Sequence, residues 1–258
     1  MNKKDIIAAR SQFVVIGNGL IQKKKYSLNT IEQKLVLYMA SKITPYDEPN
    51  TVYTFSFKDF RAVCNLNDDS GTYKPMIQEM LLGLKGKPIE IYPDNGTLII
   101  TSWFDDAIVN EKDETVKITF SKHLTPYLYN LKTYYTQFTL DNVLPMRSKY
   151  AIRLYEYLRS IKSKGYKQTI DIEEVKARID AEKYKNYKDF RMWCLEPALE
   201  EINTYTDISV KCSPIRSGRR VSHLEFQILP MGNNPQRRIN REQALEGDVK
   251  GGKENNQI

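Results

Sequence analysis

Residues 184–221 read YKNYKDFRMWCLEPALEEINTYTDISVKCSPIRSGRRV. Cys194, Leu195, Ala198, Leu199 and Ile202 recur at helical spacing, so this stretch predicts a helix with one buried face. The opposite face carries Lys185, Lys188, Asp189 and Met192, with Arg191 at its flank. Asn186 is placed to cap the helix, and Asp189 follows three positions on. Pro197 removes one helical hydrogen bond and predicts a kink or break midway. The following residues alternate as a strand. A turn, SPIRSGRR, then sets Arg216, Arg219 and Arg220 around Ser217-Gly218.

Composition sets the frame for this stretch. A chain of 258 residues is long enough for two domains. The formal net charge is +7, with 17 basic against 15 acidic residues over 1–140 and 17 against 13 over 141–230. A basic balance favours polyanionic partners through counterion release. Cys64, Cys194 and Cys212 are far apart and odd in number, which argues against a disulfide framework or a zinc site and for a reducing compartment. No apolar run approaches the ~18 residues of a membrane span. The start, MNKKDIIAARSQ, has no hydrophobic signal core. A cytoplasmic protein with no membrane partner is expected.

Moving outward, residues 1–25 read as a polar arm in which IGNGL makes a turn. Asn29 and Glu32 suit a capping box for a helix over residues 27–43. A strand over 51–57, a helix capped by Ser56, a third helix over 72–85 and a hairpin over 88–104 follow. An acidic turn at 111–114 and a strand over 116–120 come next. A second long helix covers 147–164, with a short extended piece at 168–172 and a helix capped by Asp171. The polar, glycine-rich composition after Pro230 predicts disorder.

The two halves align by residue class. Leu35, Val36 and Met39 fall on Leu154, Tyr155 and Leu158. Phe55, Phe57 and Phe60 fall on Ile170, Ile172 and Val175. Ile77, Leu81 and Leu84 fall on Leu195, Leu199 and Ile202, and Ile89 and Ile91 on Ile208 and Val210. Helix, short strand, two helices and hairpin is the order of a winged helix. The expected fold class is therefore α+β: two tandem winged-helix domains forming a pseudo-twofold internal repeat. The expected divisions are an arm (1–25), a first winged helix (26–138), a second (139–230) and a disordered tail (231–258).

A helix-turn-helix reads DNA with the N-terminal part of its second helix in the major groove. In the second half that part carries Lys183, Lys185, Asn186, Lys188, Arg191 and Met192. Arginine and asparagine suit base edges, and lysines suit phosphates. The wing arginines Arg216, Arg219 and Arg220 suit phosphate or minor-groove contact. Arg147 and Lys149, opening the long helix, are weaker phosphate candidates. The matching helix of the first half has Lys74 as its only cation before Lys85, and its wing turn is acidic. That half reads as a protein-contact unit with auxiliary DNA contact.

The stretches SLNTIEQKLVLYMASKI, TFSFKDFRAVCNL, LDNVLPMRSKYAIRLYEYLRS and YKDFRMWCLEPALEEINTYTDISV cover most of residues 10–230. In their pattern of residue classes they resemble the initiator replication proteins of theta-replicating bacterial plasmids, which bind repeated origin sequences called iterons. The resemblance implies two winged-helix domains and a homodimer, formed through the first, in equilibrium with monomer. It implies double-stranded origin DNA as ligand, opening of the origin, recruitment of host initiator and replicative helicase, and repression of the chain's own promoter. It also implies that the principal base reader maps onto residues 185–192.

Enzymatic readings fare worse. A DNA-nicking initiator needs clustered histidines and a tyrosine nucleophile, but His123 and His223 are the only histidines and lie far apart. GLKGKP lacks the phosphate-loop spacing of an ATPase. No catalytic residue, metal or cofactor is expected. The remaining alternative is a tandem winged-helix transcriptional regulator without an initiator role, distinguished by the absence of direct repeats beside the gene.

Overall fold

The computed structural model describes residues 1–23, 26–66, 73–92, 96–162, 165–231 and 234–246. The first half is built on α3 (Thr30–Ala40), preceded by α1 (Lys3–Arg10), β1 (Phe13–Gly17) and α2 (Asn18–Lys23). The capping box on α3 forms as expected: the Asn29 side chain accepts from Glu32 N at 2.9 Å, and the Glu32 carboxylate accepts from Asn29 N at 2.8 Å. Then come β2 (Tyr53–Ser56), α4 (Phe57–Cys64) capped by Ser56, and α5 (Tyr73–Gly86). Four short strands follow: β3 (Ile89–Ile91), β4 (Ile99–Thr101), β5 (Phe104–Asn110) and β6 (Thr115–Phe120). Helix α6 (Thr125–Leu128) and β7 (Tyr135–Thr139) end this half.

The second half repeats the plan. It contains α7 (Lys149–Ile161), β8 (Lys167–Asp171) and α8 (Ile172–Arg178) capped by Asp171. A composite helix follows, made of α9 (Tyr187–Phe190), a π-helical turn (Arg191–Leu195) and α10 (Glu196–Tyr205). The hairpin of β9 (Ile208–Ser217) and β10 (Arg220–Pro230) comes next, and then α11 (Pro235–Glu246).

Strand order makes the repeat explicit and corrects its last block. One antiparallel sheet runs β2-β6-β5 and its counterpart β8-β10-β9. The repeat counterpart of β9 is therefore β5, not β3 with its Ile89 and Ile91. Strands β3 and β4 form a separate two-stranded sheet inserted between α5 and the wing. The misalignment has a physical source. Between its end residues β5 is exposed or half-exposed and lacks apolar alternation, whereas Ile89 and Ile91 are both buried and alternate well.

Both ends of the chain depart from expectation. Of the expected arm, residues 1–23 are no loose segment: β1 pairs with β7, and Val14, Ile16, Leu20 and Ile21 enter the core. The division at 138/139 accordingly falls inside β7. The glycines of IGNGL serve close packing, since a Cβ on Gly19 would lie 2.8 Å from the Tyr127 ring. The expected disorder from 231 onward fails over α11. Its composition is polar, but Arg237 is buried and donates to the carbonyls of Thr206 (2.6 Å) and Ile208. Arg241 donates to Tyr205 O at 2.9 Å, and Leu245 is buried. Those carbonyls close the end of α10 and open β9, where backbone acceptors need partners. Residues 247–258 lie outside the described residues.

The halves are stitched together along α7. Gln33 donates to Lys149 O (3.3 Å), Thr30 to Arg147 O (2.9 Å), and Gln22 to Ser160 Oγ (2.9 Å). The Arg153 guanidinium donates to Tyr26 O at 2.5 Å and stacks 4.0 Å from the centre of its ring.

Candidate nucleic-acid interface

The composite helix 187–205 occupies the second position of the helix-turn-helix begun by α8. Two polar side chains fix it. Asn203 donates to Val210 O (2.9 Å) and accepts from Val210 N (2.7 Å), tying α10 to the root of the wing. Glu201 accepts from the backbone N–H groups of Arg147 and Ser148 at the start of α7, at 3.2 Å each. Burial pushes the Glu201 carboxyl up, and those N–H groups oppose the shift.

Its N-terminal half carries the cations. Lys185 and Lys188 are exposed and meet no partner among the described residues. Lys183 lies 5.0 Å from the centre of the Tyr184 ring. Asn186 is the N-cap: its oxygen accepts from Asp189 N (2.8 Å) and its amide donates to Asp189 Oδ2 (2.6 Å). Both its polar atoms are thus engaged by the helix, which sets it apart from free base readers. Arg191 pairs with Glu196 at 3.4 Å, with both side chains about half-exposed. An exposed pair of this kind is weak and readily exchanged for another anion.

The five-residue spacing of that pair is itself a product of Pro197. Proline has no N–H to give to Trp193 O, and its ring crowds that carbonyl. The helix widens, and Glu196 N–H bonds to Arg191 O in place of a regular partner four residues back. The kink or break expected from Pro197 is realised as this π turn. Its outer side presents Met192, 41% exposed, and Trp193, 62% exposed. Trp193 was not among the sequence candidates. The signal for it was present, because proline four residues downstream marks the carbonyl where the helix must open.

The wing is longer than the turn read from SPIRSGRR. Residues 213–217 belong to β9, and Ser217 pairs with Arg220 at the tip. Only Gly218 and Arg219 turn, and Gly218 takes φ +61°, a left-handed conformation that glycine adopts at no steric cost. Arg216, Arg219 and Arg220 are all exposed. Wing and helix act on one group. Burial raises the Tyr187 hydroxyl, Cys212 adds to this, and Arg191 and Arg216 pull it back. The guanidinium of the helix and that of the wing are therefore close enough to share a field.

The remaining candidates are placed elsewhere or otherwise occupied. Lys149 is ion-paired with Asp180 at 2.5 Å, a carboxylate held below its usual range against burial by Lys149 and Ser27. Arg147 stands beside Glu201 at the start of α7. Lys74 sits in the first turn of α5, and its side chain lies outside the described residues. His123 belongs to a short turn in the first half and His223 to β10 in the second. Among the described residues no group of His, Cys, Asp and Glu could hold a metal ion, and no helix is long and apolar enough to cross a membrane.

Comparison with known proteins agrees with this architecture. Residues 13–159 match the family described as Initiator Replication protein, WH1, and residues 171–228 match Initiator Rep protein, WH2. A replication initiation protein of Escherichia coli is 25% identical over 230 residues, covering 84% of this chain and 70% of its own length. An uncharacterized 27.6 kDa protein of Escherichia coli is 27% identical over 146 residues, covering 55% of this chain and 61% of its own. The fold is similar to that of Pi initiator protein, solved in complex with iteron DNA, with a TM-score of 0.71 at 18% identity, covering 87% of this chain and 99% of that one. With both family models matched in order on a chain whose halves repeat one plan, the protein belongs to the initiator replication proteins, with two winged-helix domains in tandem.

Proposed function

We propose that this protein is the replication initiator of a plasmid and binds repeated origin DNA through its second winged helix. The observation that carries this is the convergence of Lys185, Lys188 and Arg191 on the helix entrance with three exposed arginines at the wing. That pattern suits a helix in the major groove and a wing on the neighbouring backbone. The structurally similar Pi initiator, captured with iteron DNA, supports the same ligand for this chain. The reading includes opening of the origin, recruitment of host initiator and helicase, repression of the chain's own promoter, and a homodimer through the first half in equilibrium with monomer. The proposed base and phosphate contacts are Lys183, Lys185, Lys188, Arg191, Met192, Arg216, Arg219 and Arg220. Lys74 and Arg147 are auxiliary backbone contacts. Asn186 and Lys149 support the interface from behind, one as cap and one as ion pair.

The test is a mobility-shift titration against a duplex carrying the direct repeats beside the gene, with random duplex as control. Lys188→Ala and Arg191→Ala are expected to weaken the repeat complex by roughly 1–3 kcal/mol each and the random complex by less. Equal losses on both duplexes would reduce these residues to phosphate contacts. Absence of any preference for the repeats would remove the initiator reading.

A further inference from the structure

Trp193 and Met192 pose a problem that a DNA-reading helix does not by itself explain. They are two large apolar side chains, adjacent in sequence and 62% and 41% exposed, on a surface that carries Lys185, Lys188 and Arg191 beside Asp189 and Glu196. Exposed tryptophan beside charge marks a contact surface more often than chance. Its exposure is enforced by the backbone. Pro197 opens the helix at Trp193, and the π turn over Arg191–Leu195 holds Cys194 and Leu195 in the core while residues 191–193 remain outside. Lys188 and Met192 stand four residues apart, so they share a face of the helix. Trp193 adjoins that face, and Arg191 lies beside it.

We propose that Trp193, with Met192, reads thymine by packing on its C5-methyl group in the major groove. This rests on the DNA-binding role proposed above and gives it a base. The flanking Lys185 and Lys188, exposed and without partners among the described residues, and Arg191, in a weak exposed pair with Glu196, favour a polyanion on this surface. The thymine methyl is the distinctive apolar contact that a base edge offers in the major groove, so it matches an apolar pair beside those cations. A protein partner would have to leave those cations unmatched or supply its own anions.

The experiment starts from the duplex that the full chain selects out of a randomised pool. Each thymine of that duplex is then replaced in turn by uracil, which lacks only the methyl. The wild-type chain should lose about fourfold in affinity at one or two positions, the worth of one buried methyl. Trp193→Ala should bind the thymine duplex at least fourfold more weakly and show no further loss with uracil at those positions. Because Trp193 is largely exposed, that variant should melt with the wild type. A flat uracil scan of the wild type needs no variant at all and would overturn the proposal. So would a Trp193→Ala protein that keeps the wild-type uracil losses. A partner-binding role for Trp193 would give that flat scan with undiminished selection of a sequence. Selection of no sequence at all would instead strike at the DNA-binding role itself.

Discussion

Glu156 lies buried on α7 at the seam between the halves. Burial pushes its carboxyl from 4.5 up to about 7, against the opposing pull of Arg153. It lines a small cavity with Tyr26, Gln33 and Trp103. Gln33 Oε1 and Trp103 Nε1 have no hydrogen-bond partner there, so a neutral carboxylic acid, which both donates and accepts, suits this wall better than a carboxylate. The linkage follows from the raised value. Between pH 4.5 and about 7 the folded chain holds a proton here that the unfolded chain has lost, so this residue's contribution falls as pH rises across that window and levels off above it. The full effect is roughly 3 kcal/mol. Glu156→Gln should flatten this slope in urea melts at pH 5 and pH 7.5. Glu201, also raised, keeps its own slope in both proteins, so the difference between them reports Glu156 alone. Parallel slopes in wild type and variant would place the titration elsewhere.

The wing hairpin gives an expectation of its own. Arg219 and Arg220 sit at its tip with no acidic partner among the described residues. Arg219→Ala and Arg220→Ala should each lower the slope of log affinity against log salt by about one unit, measured by anisotropy from 50 to 200 mM salt. An unchanged slope would take the tip out of the DNA complex. Elements such as this hairpin were legible in sequence wherever period and punctuation agreed. Asn29 with Glu32, Ser56, Asp171 and Asn186 each cap the helix they were expected to cap. Strand β5 was missed because its exposed run sets Asp105, Asp106 and Ala107 beside an exposed Ile108, leaving no alternation to read. Helix α11 was missed because what docks it is arginine. A guanidinium that satisfies backbone carbonyls through donors looks, in composition, like solvent-facing charge. Candidate cations were legible as a set, but their division into free and engaged was not. Lys149 and Lys188 are both lysines near helix starts, and only the fold sets Asp180 beside the first.

At the scale of the molecule, the two halves share one helix. Helix α7 opens the second half, yet α2 and α3 pack on it, and Arg153, Ser160 and the carbonyls of Arg147 and Lys149 bind back to the first. Calorimetry should therefore record one cooperative transition, with calorimetric and van't Hoff enthalpies in agreement. Two separated transitions would mean that the halves unfold on their own. Repetition was legible at this scale from Leu35 over Leu154 and Phe60 over Val175. The seam was not, because many of its bonds run to backbone carbonyls that every residue owns. The projecting wing has a last consequence, one of phase. Five exposed residues of β9, 213–217, stand beyond the core, and at about 3.4 Å per residue they carry the tip roughly 17 Å outward. A turn of duplex spans about 34 Å and some 10 base pairs. On the proposed mode of binding, helix and wing therefore cover adjoining stretches of one duplex within about half a turn, with the tip on its backbone. The length of a binding site, as well as its letters, is then fixed by the protein. A duplex trimmed so that it ends between the two contacts should keep the helix's share of the affinity and lose the wing's.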